Sequence, residues 1–194
     1  MTPPVQQPPA AALRLLAVFV PDAEREPVEG DLQEEYQSHP SAAWFWGQVL
    51  RSLSHFSWIS MKRAPGRTVL AMFAGYAVAA ICVMASFAAL GTLHLGETRG
   101  ILMATELGGG MLSAIAGGYC AARIARGRGI HGMIALCIFT LLMGIVSFVS
   151  TVQASARYGV EPMAALIHEL ELISVFLLGV LLGGYLRARQ LAAP

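Results

Sequence analysis

Residues 69–90 read VLAMFAGYAVAAICVMASFAAL, an apolar run that contains no charged side chain. Three further predominantly apolar runs follow at residues 101–122, 130–152 and 166–186. The hydrocarbon core of a bilayer is roughly 30 Å thick and needs about 20 apolar residues in a helix, because a helix satisfies its own backbone hydrogen bonds where water is absent. The sequence therefore predicts an all-α membrane protein with four transmembrane helices.

The composition limits how much else the chain can contain. Of its 194 residues, 56% are hydrophobic, and the mean hydropathy of +0.60 is that of a chain built mainly for a membrane. The four spans occupy most of residues 61–194, which we interpret as one small transmembrane domain. Residues 1–60 form a separate segment before the first span.

The basic residues near the ends of the spans predict the orientation of the chain. Eight Lys and Arg residues fall on the side of the membrane that holds both termini, whereas only Arg99 and Arg157 fall on the other side. Short loops rich in Lys and Arg stay in the cytoplasm, so both termini are predicted to be cytoplasmic. The eight cations are Lys62, Arg63, Arg67, Arg123, Arg126, Arg128, Arg187 and Arg189.

The segment before the first span has two parts. Residues 1–11 contain four prolines among Gln and Ala, so they are predicted to be a disordered tail. Residues 12–60 predict a small domain of amphipathic helices, the first ending at Pro21, the second opening at Pro27 and the third covering residues 42–59. Because the second helix is strongly acidic, nucleic acid is not an expected partner. The acids are Asp22, Glu24, Glu26, Glu29, Asp31, Glu34 and Glu35.

The third of these helices is rich in aromatic residues, and two placements are open for it. Trp44, Trp46 and Trp58 all precede the first span, where an indole ring suits the headgroup level of the membrane. Arg51 lies on the polar face of the same helix, so we interpret these four residues as a membrane-interface site. The alternative is that the helix packs against the other two without contacting lipid.

Two short motifs in this segment carry a resemblance to a known family. Residues 30–36 read GDLQEEY, and residues 44–48 read WFWGQ. Together with the residues just before them, they resemble the permease prefix domain, a module at the cytoplasmic N-terminus of bacterial ABC-type permeases of the macrolide-exporter class. The resemblance covers about residues 13–53. It implies a docking site made of Gly30, Asp31, Leu32, Glu34, Glu35, Tyr36, Trp44, Trp46 and Gln48.

The rest of the chain departs from that family. Its permeases continue into a long extracytoplasmic domain and further spans, whereas no loop between the spans here is longer than roughly a dozen residues. The resemblance therefore does not imply transport as a full permease. It implies a bacterial inner-membrane protein whose partner is a permease or ATPase component of an ABC-type system, or a second copy of the chain.

The second and fourth spans end in the same pattern, GGYxxAR, at residues 117–123 and 183–189. A separation of one hairpin predicts two tandem hairpins related by a pseudo-twofold axis along the membrane normal, with chance similarity between glycine-rich helices as the alternative. Small residues let helix backbones approach each other in lipid, so the two helices are expected to touch near their cytoplasmic ends, unless one face binds another subunit. The residues concerned are Gly110, Ala114, Gly118, Gly179 and Gly183.

Polar side chains inside the spans are the candidate intramembrane site. Glu106 lies in the second span, and His168, Glu169 and Glu171 occupy the first turns of the fourth span at a similar depth. A buried carboxylate needs a proton, a partner or water, so Glu106 and His168 could form a pair that binds a proton or a cation. The alternative is that Glu169 and Glu171 are outer-interface residues and that Glu106 is a structural group that is neutral or bridged by water.

Motifs of common enzymes and metal sites do not occur in the sequence. Cys82, Cys120 and Cys137 lie inside spans without a CxxC spacing, and there is no GxSxG, HExxH or phosphate-loop pattern. We therefore expect no enzymatic activity, no metal and no cofactor. A non-enzymatic accessory subunit of an ABC-type transport system is the leading hypothesis. The alternatives are a small proton- or cation-linked transporter or channel, and a structural subunit of a larger membrane complex.

Overall fold

The computed structural model describes residues 7–20, 22–38, 40–92, 99–125, 130–158 and 162–192. All regular structure within these residues is helical. The chain begins with α1 (Ala10–Phe19), α2 (Asp22–Ser38) and α3 (Ala42–Arg63), which together are called the prefix below. It continues with α4 (Pro65–Thr92), α5 (Arg99–Ala104), a π-helical turn (Thr105–Gly109), α6 (Gly110–Ala125), α7 (Ile130–Tyr158) and α8 (Pro162–Ala192).

Four helical stretches are long and apolar enough to cross a membrane. Each of them contains the apolar run that the sequence predicted for it, with extra helical turns at one or both ends. The prediction of an all-α membrane protein with four transmembrane helices is therefore confirmed. The stretches are Pro65–Thr92, Gly100–Ala125, Ile130–Ala154 and Leu166–Leu191.

Two helices of the prefix begin earlier than the sequence suggested. α1 begins at Ala10, inside the segment expected to be a disordered tail, of which residues 1–6 lie outside the described part of the chain. α2 begins at Asp22 and runs through Pro27, which was expected to open it. Acidic residues at the start of α2 complement the positive end of the helix dipole, which favours the additional turn before the proline.

The prefix has a small core of its own. Leu16, Phe45 and Val49 are fully buried, and Leu32 and Tyr36 are nearly so. The rings of Tyr36 and Phe45 meet edge to face, with centroids 5.4 Å apart. α3 thus turns its apolar side toward α1 and α2, and Ser41 caps its first turn by accepting a hydrogen bond from the backbone N–H of Trp44 at 3.4 Å.

The prefix also packs against the transmembrane helices. α1 contacts α8, and α3 contacts α7. The buried residues of the prefix and those of the bundle form one continuous hydrophobic cluster, which includes Leu16 and Phe45 on one side and Leu136, Val180 and Ala188 on the other. Because α3 leads directly into α4, these contacts fall at the end of the bundle where α4 and α7 begin and α6 and α8 end, called the prefix end below.

The four spans run alternately up and down. At the prefix end, a Cβ atom built on Gly132 of α7 would lie 2.7 Å from the Cβ of Ala125 on α6 and 3.1 Å from the Cβ of Ala71 on α4. Nearer the middle of the bundle, a Cβ built on Gly144 would lie 2.8 Å from Ile173 of α8. The end of the bundle away from the prefix is called the far end below. α6 and α7 each pack against the other three spans.

The glycines of the GGYxxAR repeat lie where α6 meets α8. A Cβ atom on Gly118 would overlap backbone atoms of Val180, and one on Gly183 would overlap backbone atoms of Ile115 and Tyr119. The two helices therefore touch backbone to backbone, which is how small residues hold helices together in lipid. A hydrogen bond from the hydroxyl of Tyr119 to Gln190 Oε1, 2.8 Å long, also joins them.

The repeat does not extend to the partners of its glycines. Gly117 faces Gly75 and Ala79 of α4, whereas its counterpart Gly183 faces α6 instead of α7. Gly118 faces α8, whereas its counterpart Gly184 faces Met133 of α7. Neighbouring positions on a helix point about 100° apart. In α6 the first glycine of the pair contacts the preceding span and the second contacts α8, whereas in α8 the first contacts α6 and the second contacts the preceding span.

Most of the outer surface of the bundle is apolar. Large hydrophobic side chains on all four spans are between two fifths and three quarters exposed, which is the surface that a bilayer covers. Contact with lipid therefore follows from the fold. Examples are Leu70, Ile81, Met84, Leu112, Ile145, Val146 and Leu178.

Candidate intramembrane site

Glu106 lies in the π-helical turn that joins α5 to α6. A π-helical turn widens the helix locally, and such turns are frequent at functional sites. Positions three or four residues apart share a face of a helix, so Glu106 lies on the same side as Gly110, Ser113 and Gly117. Ser113 and Gly117 are buried in the bundle. This face of the second span therefore carries the carboxylate toward the other three spans.

The structure brings Glu106 and His168 together. Glu106 Oε2 lies 3.5 Å from His168 Nε2, a distance at which the two form an ion pair when the imidazole is protonated. The side chains of Glu106 and His168 are 33% and 41% exposed, so protein covers more than half of each. The pair links the second span to the fourth at the far end, where α8 has completed its first two turns.

The two other acids predicted for this site lie on the same helix in different surroundings. Glu169 is half-buried and Glu171 is exposed. Neither lines the cavities described next. Of the four residues in the predicted site, only Glu106 and His168 form a pair. Glu171 is a carboxylate at similar depth outside the cavities, so a variant of Glu171 is a suitable control for a variant of Glu106.

A partly open cavity of about 510 Å³ lies beside Glu106 and is lined by residues of all four spans. Its walls are mainly apolar, with the carboxylate of Glu106 and a few hydroxyl groups among them. It is large enough for a small organic molecule. The lining residues are Tyr76, Val83, Ser86 and Phe87 of α4, Thr105, Glu106, Gly109 and Gly110 of the second span, Ser147 of α7, and Leu172, Val175 and Phe176 of α8.

A second cavity of about 350 Å³ adjoins the first between α4, α7 and α8. The two share part of their walls, and the second adds Thr140, Met143 and Gly144 of α7 and Ile173 of α8. Thr140 has a buried hydroxyl without a hydrogen-bond partner. Two adjoining cavities with mainly apolar walls therefore lie in this part of the bundle. The shared lining residues are Tyr76, Ser147, Leu172 and Phe176.

The glycine contacts explain where the cavity begins. A Cβ on Gly179 would lie 2.6 Å from the Cβ of Ala114, so α6 and α8 are still in close contact at this level. One turn further toward the far end, a Cβ on Gly110 would have no atom within 4 Å. Ala114, Gly118, Gly179 and Gly183 thus pack helices as expected, whereas Gly110, which was expected to pack with them, lines the open cavity.

The resemblance-derived docking residues divide by exposure. Leu32 and Tyr36 are buried in the prefix core, and Trp44, Trp46 and Gln48 are half-buried. The remaining four residues face outward. The second helix therefore has an exposed acidic face, and its opposite, apolar face packs in the prefix core. These exposed residues, called the acidic surface below, are Gly30, Asp31, Glu34 and Glu35.

The four residues proposed for the membrane interface also divide. Trp58 is 57% exposed and lies beside Lys62, whose Nζ is 5.0 Å from the centre of the ring. Arg51 is exposed, whereas Trp44 and Trp46 are half-buried against the prefix core. The broad apolar face of α3 is thus used mainly within the protein, whereas the ring of Trp58 near the end of α3 is more than half exposed.

Sequence reasoning missed most of the residues that line the cavity. Tyr76, Ser86 and Ser147 are isolated polar residues in apolar spans, and nothing in their spacing links them to Glu106. One feature of the sequence could have indicated them: each is a polar residue within a span that contains no charged side chain. Among the described residues, no three His, Cys, Asp or Glu side chains are close enough to hold a metal ion together.

Comparisons with known proteins add no assignment to this geometry. No protein-family model, no curated protein and no solved structure matches the chain.

Proposed function

We propose that the protein is a non-enzymatic accessory subunit of a bacterial inner-membrane ABC-type transport system. In this proposal the prefix lies in the cytoplasm and its acidic surface binds a permease or ATPase component. The observation that carries the proposal is the union of the prefix and the bundle in one hydrophobic cluster. A prefix held rigidly on the spans presents its outer face at a defined height above the membrane, as a docking module requires.

The exposed carboxylates support this role. Asp31, Glu34 and Glu35 face outward although the helix that carries them is held by Leu32 and Tyr36. They belong to the GDLQEEY motif, on which the resemblance to the permease prefix domain rests. Exposed acids contribute to partner choice through charge complementarity. The partner surface is therefore expected to be basic.

Charge reversal on the acidic surface tests the docking role. The double variant Glu34→Lys/Glu35→Lys is expected to lower recovery of the ABC component about tenfold, because like charges at an interface cost several kcal/mol. Folding should persist, since lysines near the end of α2 suit the negative end of the helix dipole. The measurement is quantitative mass spectrometry of proteins that copurify with the tagged full-length chain in mild detergent.

A matched control places the same side chains elsewhere on the prefix. Ser54→Lys/His55→Lys changes two exposed residues of α3 outside the acidic surface and should leave recovery unchanged. If the chain emerges alone or only with copies of itself, or if both double variants retain the ABC component equally, the docking proposal is wrong.

A second function, a small proton- or cation-linked transporter, is favoured by one observation. Glu106 lines a cavity between all four spans and is paired with a histidine from the neighbouring helix α8. Titratable groups inside a membrane domain are the usual elements of proton relays. In this proposal the pair exchanges a proton or cation with the far side of the membrane.

Reconstituted vesicles test this function. Full-length protein in liposomes with an internal pH dye is expected to admit protons when a potassium diffusion potential is applied. Glu106→Gln should lower the rate to that of empty liposomes, because the variant cannot bind a proton or balance a cation. Glu171→Gln, which removes a carboxylate of α8 outside the cavity, should behave as the unmodified protein. Equal rates for protein-containing and empty liposomes would rule out proton transport.

A further inference from the structure

The size and the walls of the cavity beside Glu106 indicate what kind of ligand it suits. Its volume of about 510 Å³ lies within the range of sites for small organic molecules. A metal cation needs several oxygen ligands, whereas the walls offer one carboxylate and scattered hydroxyl groups. The hydroxyl of Ser86 already donates a hydrogen bond to the carbonyl of Cys82 at 2.9 Å. The site is therefore better suited to an organic molecule than to a bare metal ion.

Aromatic rings form a large part of the walls. Tyr76 and Phe87 of α4 and Phe176 of α8 all line the cavity. The ring of Tyr76 is held in place by Phe139 of α7, edge to face at a centroid distance of 5.0 Å. Aromatic faces attract organic cations and cover apolar groups at the same time. The rings therefore offer a preformed wall for a ligand that is both apolar and positively charged.

The charges at the cavity point to the same class of ligand. Among the described lining residues, Glu106 contributes the one ionisable carboxylate, and none is a Lys, Arg or His. Its partner in the structure is His168, which does not line the cavity and whose Nε2 lies 3.5 Å from Glu106 Oε2. A carboxylate in apolar surroundings is stabilised by a cation close to it. A cationic ligand can take over that role from the imidazole.

We propose that this cavity binds an amphipathic organic monocation. The positive centre of the ligand pairs with the carboxylate of Glu106, and its apolar body lies against Tyr76, Phe87 and Phe176. His168 occupies the carboxylate when the cavity is empty and competes with the ligand for it. This proposal rests on the second function proposed above, since it names the class of ligand for the same cavity. Binding in the cavity does not require that the protein carry the ligand across the membrane.

Equilibrium binding of tetraphenylphosphonium tests the proposal, because this probe is apolar and keeps its charge at any pH. With purified full-length protein in detergent, saturable binding of one probe per chain is expected. Glu106→Gln should weaken binding at least about tenfold, since a desolvated charge pair is lost. Glu171→Gln should bind within about twofold of the unmodified protein, because that carboxylate is exposed and outside the cavity.

A steric variant keeps the test decisive if loss of the carboxylate disturbs folding. Gly110→Leu fills the cavity without a clash, since a Cβ at Gly110 has no atom within 4 Å. It should abolish binding while the thermal midpoint of unfolding stays unchanged. Gly91→Leu, in open space on α4, should bind normally. Non-saturable binding, or equal binding by the Glu106→Gln and Gly110→Leu variants and the unmodified protein, would overturn the proposal.

Binding and transport fail separately in these experiments. The probe is measured at equilibrium without a membrane potential, whereas proton entry into vesicles is measured without the probe. If the probe binds saturably and this binding depends on Glu106, but liposomes with the protein admit no protons, the cation site is supported and the transport function is wrong. Proton entry that depends on Glu106 without probe binding would do the reverse.

Discussion

Gly118→Leu and Gly183→Leu are each expected to destabilise the bundle by about 3 kcal/mol or more, the upper end of the range for overpacking. At both positions a Cβ atom would overlap backbone atoms of the facing helix, and a backbone cannot move aside as the end of a flexible side chain can. The two helices must separate, which removes their contact along the prefix half of the bundle. For a chain of this length the thermal midpoint should fall by roughly 10 °C.

The measurement is thermal unfolding in detergent, followed by loss of the monodisperse peak in size-exclusion chromatography. Gly91→Leu serves as the matched control, because it adds the same side chain to a transmembrane helix where a Cβ meets nothing within 4 Å. Its midpoint should equal that of the unmodified protein. If the Gly118 and Gly183 variants also unfold at the unmodified midpoint, α6 and α8 do not pack through these glycines.

Reporter fusions are expected to give opposite signals on the two sides of α8. Alkaline phosphatase, which is active only outside the cytoplasm, should be active after Ala154 and inactive after Pro194. The physical reason is the excess of Lys and Arg at the prefix end of the spans. The fold adds that the prefix contacts both α7 and α8, so the prefix and the end of α8 lie on one side of the membrane.

A fluorescent protein that matures only in the cytoplasm provides the complementary readout, bright after Pro194 and dark after Ala154. A fusion after Arg63, where α3 ends, should match the one after Pro194. Activity of the phosphatase after Pro194 together with fluorescence after Ala154 would invert the orientation. It would also place the acidic surface outside the cytoplasm, where no ABC ATPase could meet it.

The number and approximate position of the spans could be predicted from the sequence alone, because hydropathy over about 20 residues is a local property. The same holds for the existence of three prefix helices, which follows from apolar residues at helical spacing. Helix starts were less accurate. α1 and α2 both begin earlier than the proline positions suggested, since a proline limits one turn of a helix without preventing helix on both sides of it.

The contact of α6 with α8 was anticipated from small residues at four-residue spacing, but the face that each glycine uses was not. Gly110 continues the stripe of Gly118 in sequence and yet lines open space. Whether a small residue permits contact depends on how far the facing helix has diverged at that level. At the level of Gly110 the space between the two helices is part of the cavity, which Phe176 of the facing helix α8 also lines.

The sequence by itself determined a four-span helical membrane protein with an acidic prefix, because these features depend on composition and on spacing within single segments. Only the tertiary structure placed Glu106 3.5 Å from His168, buried Phe45 between prefix helices and formed a cavity lined by residues from all four spans. Each of these arrangements depends on the rotation and tilt of one helix relative to another. Those angles follow from packing over the whole bundle, and no single segment of sequence contains them.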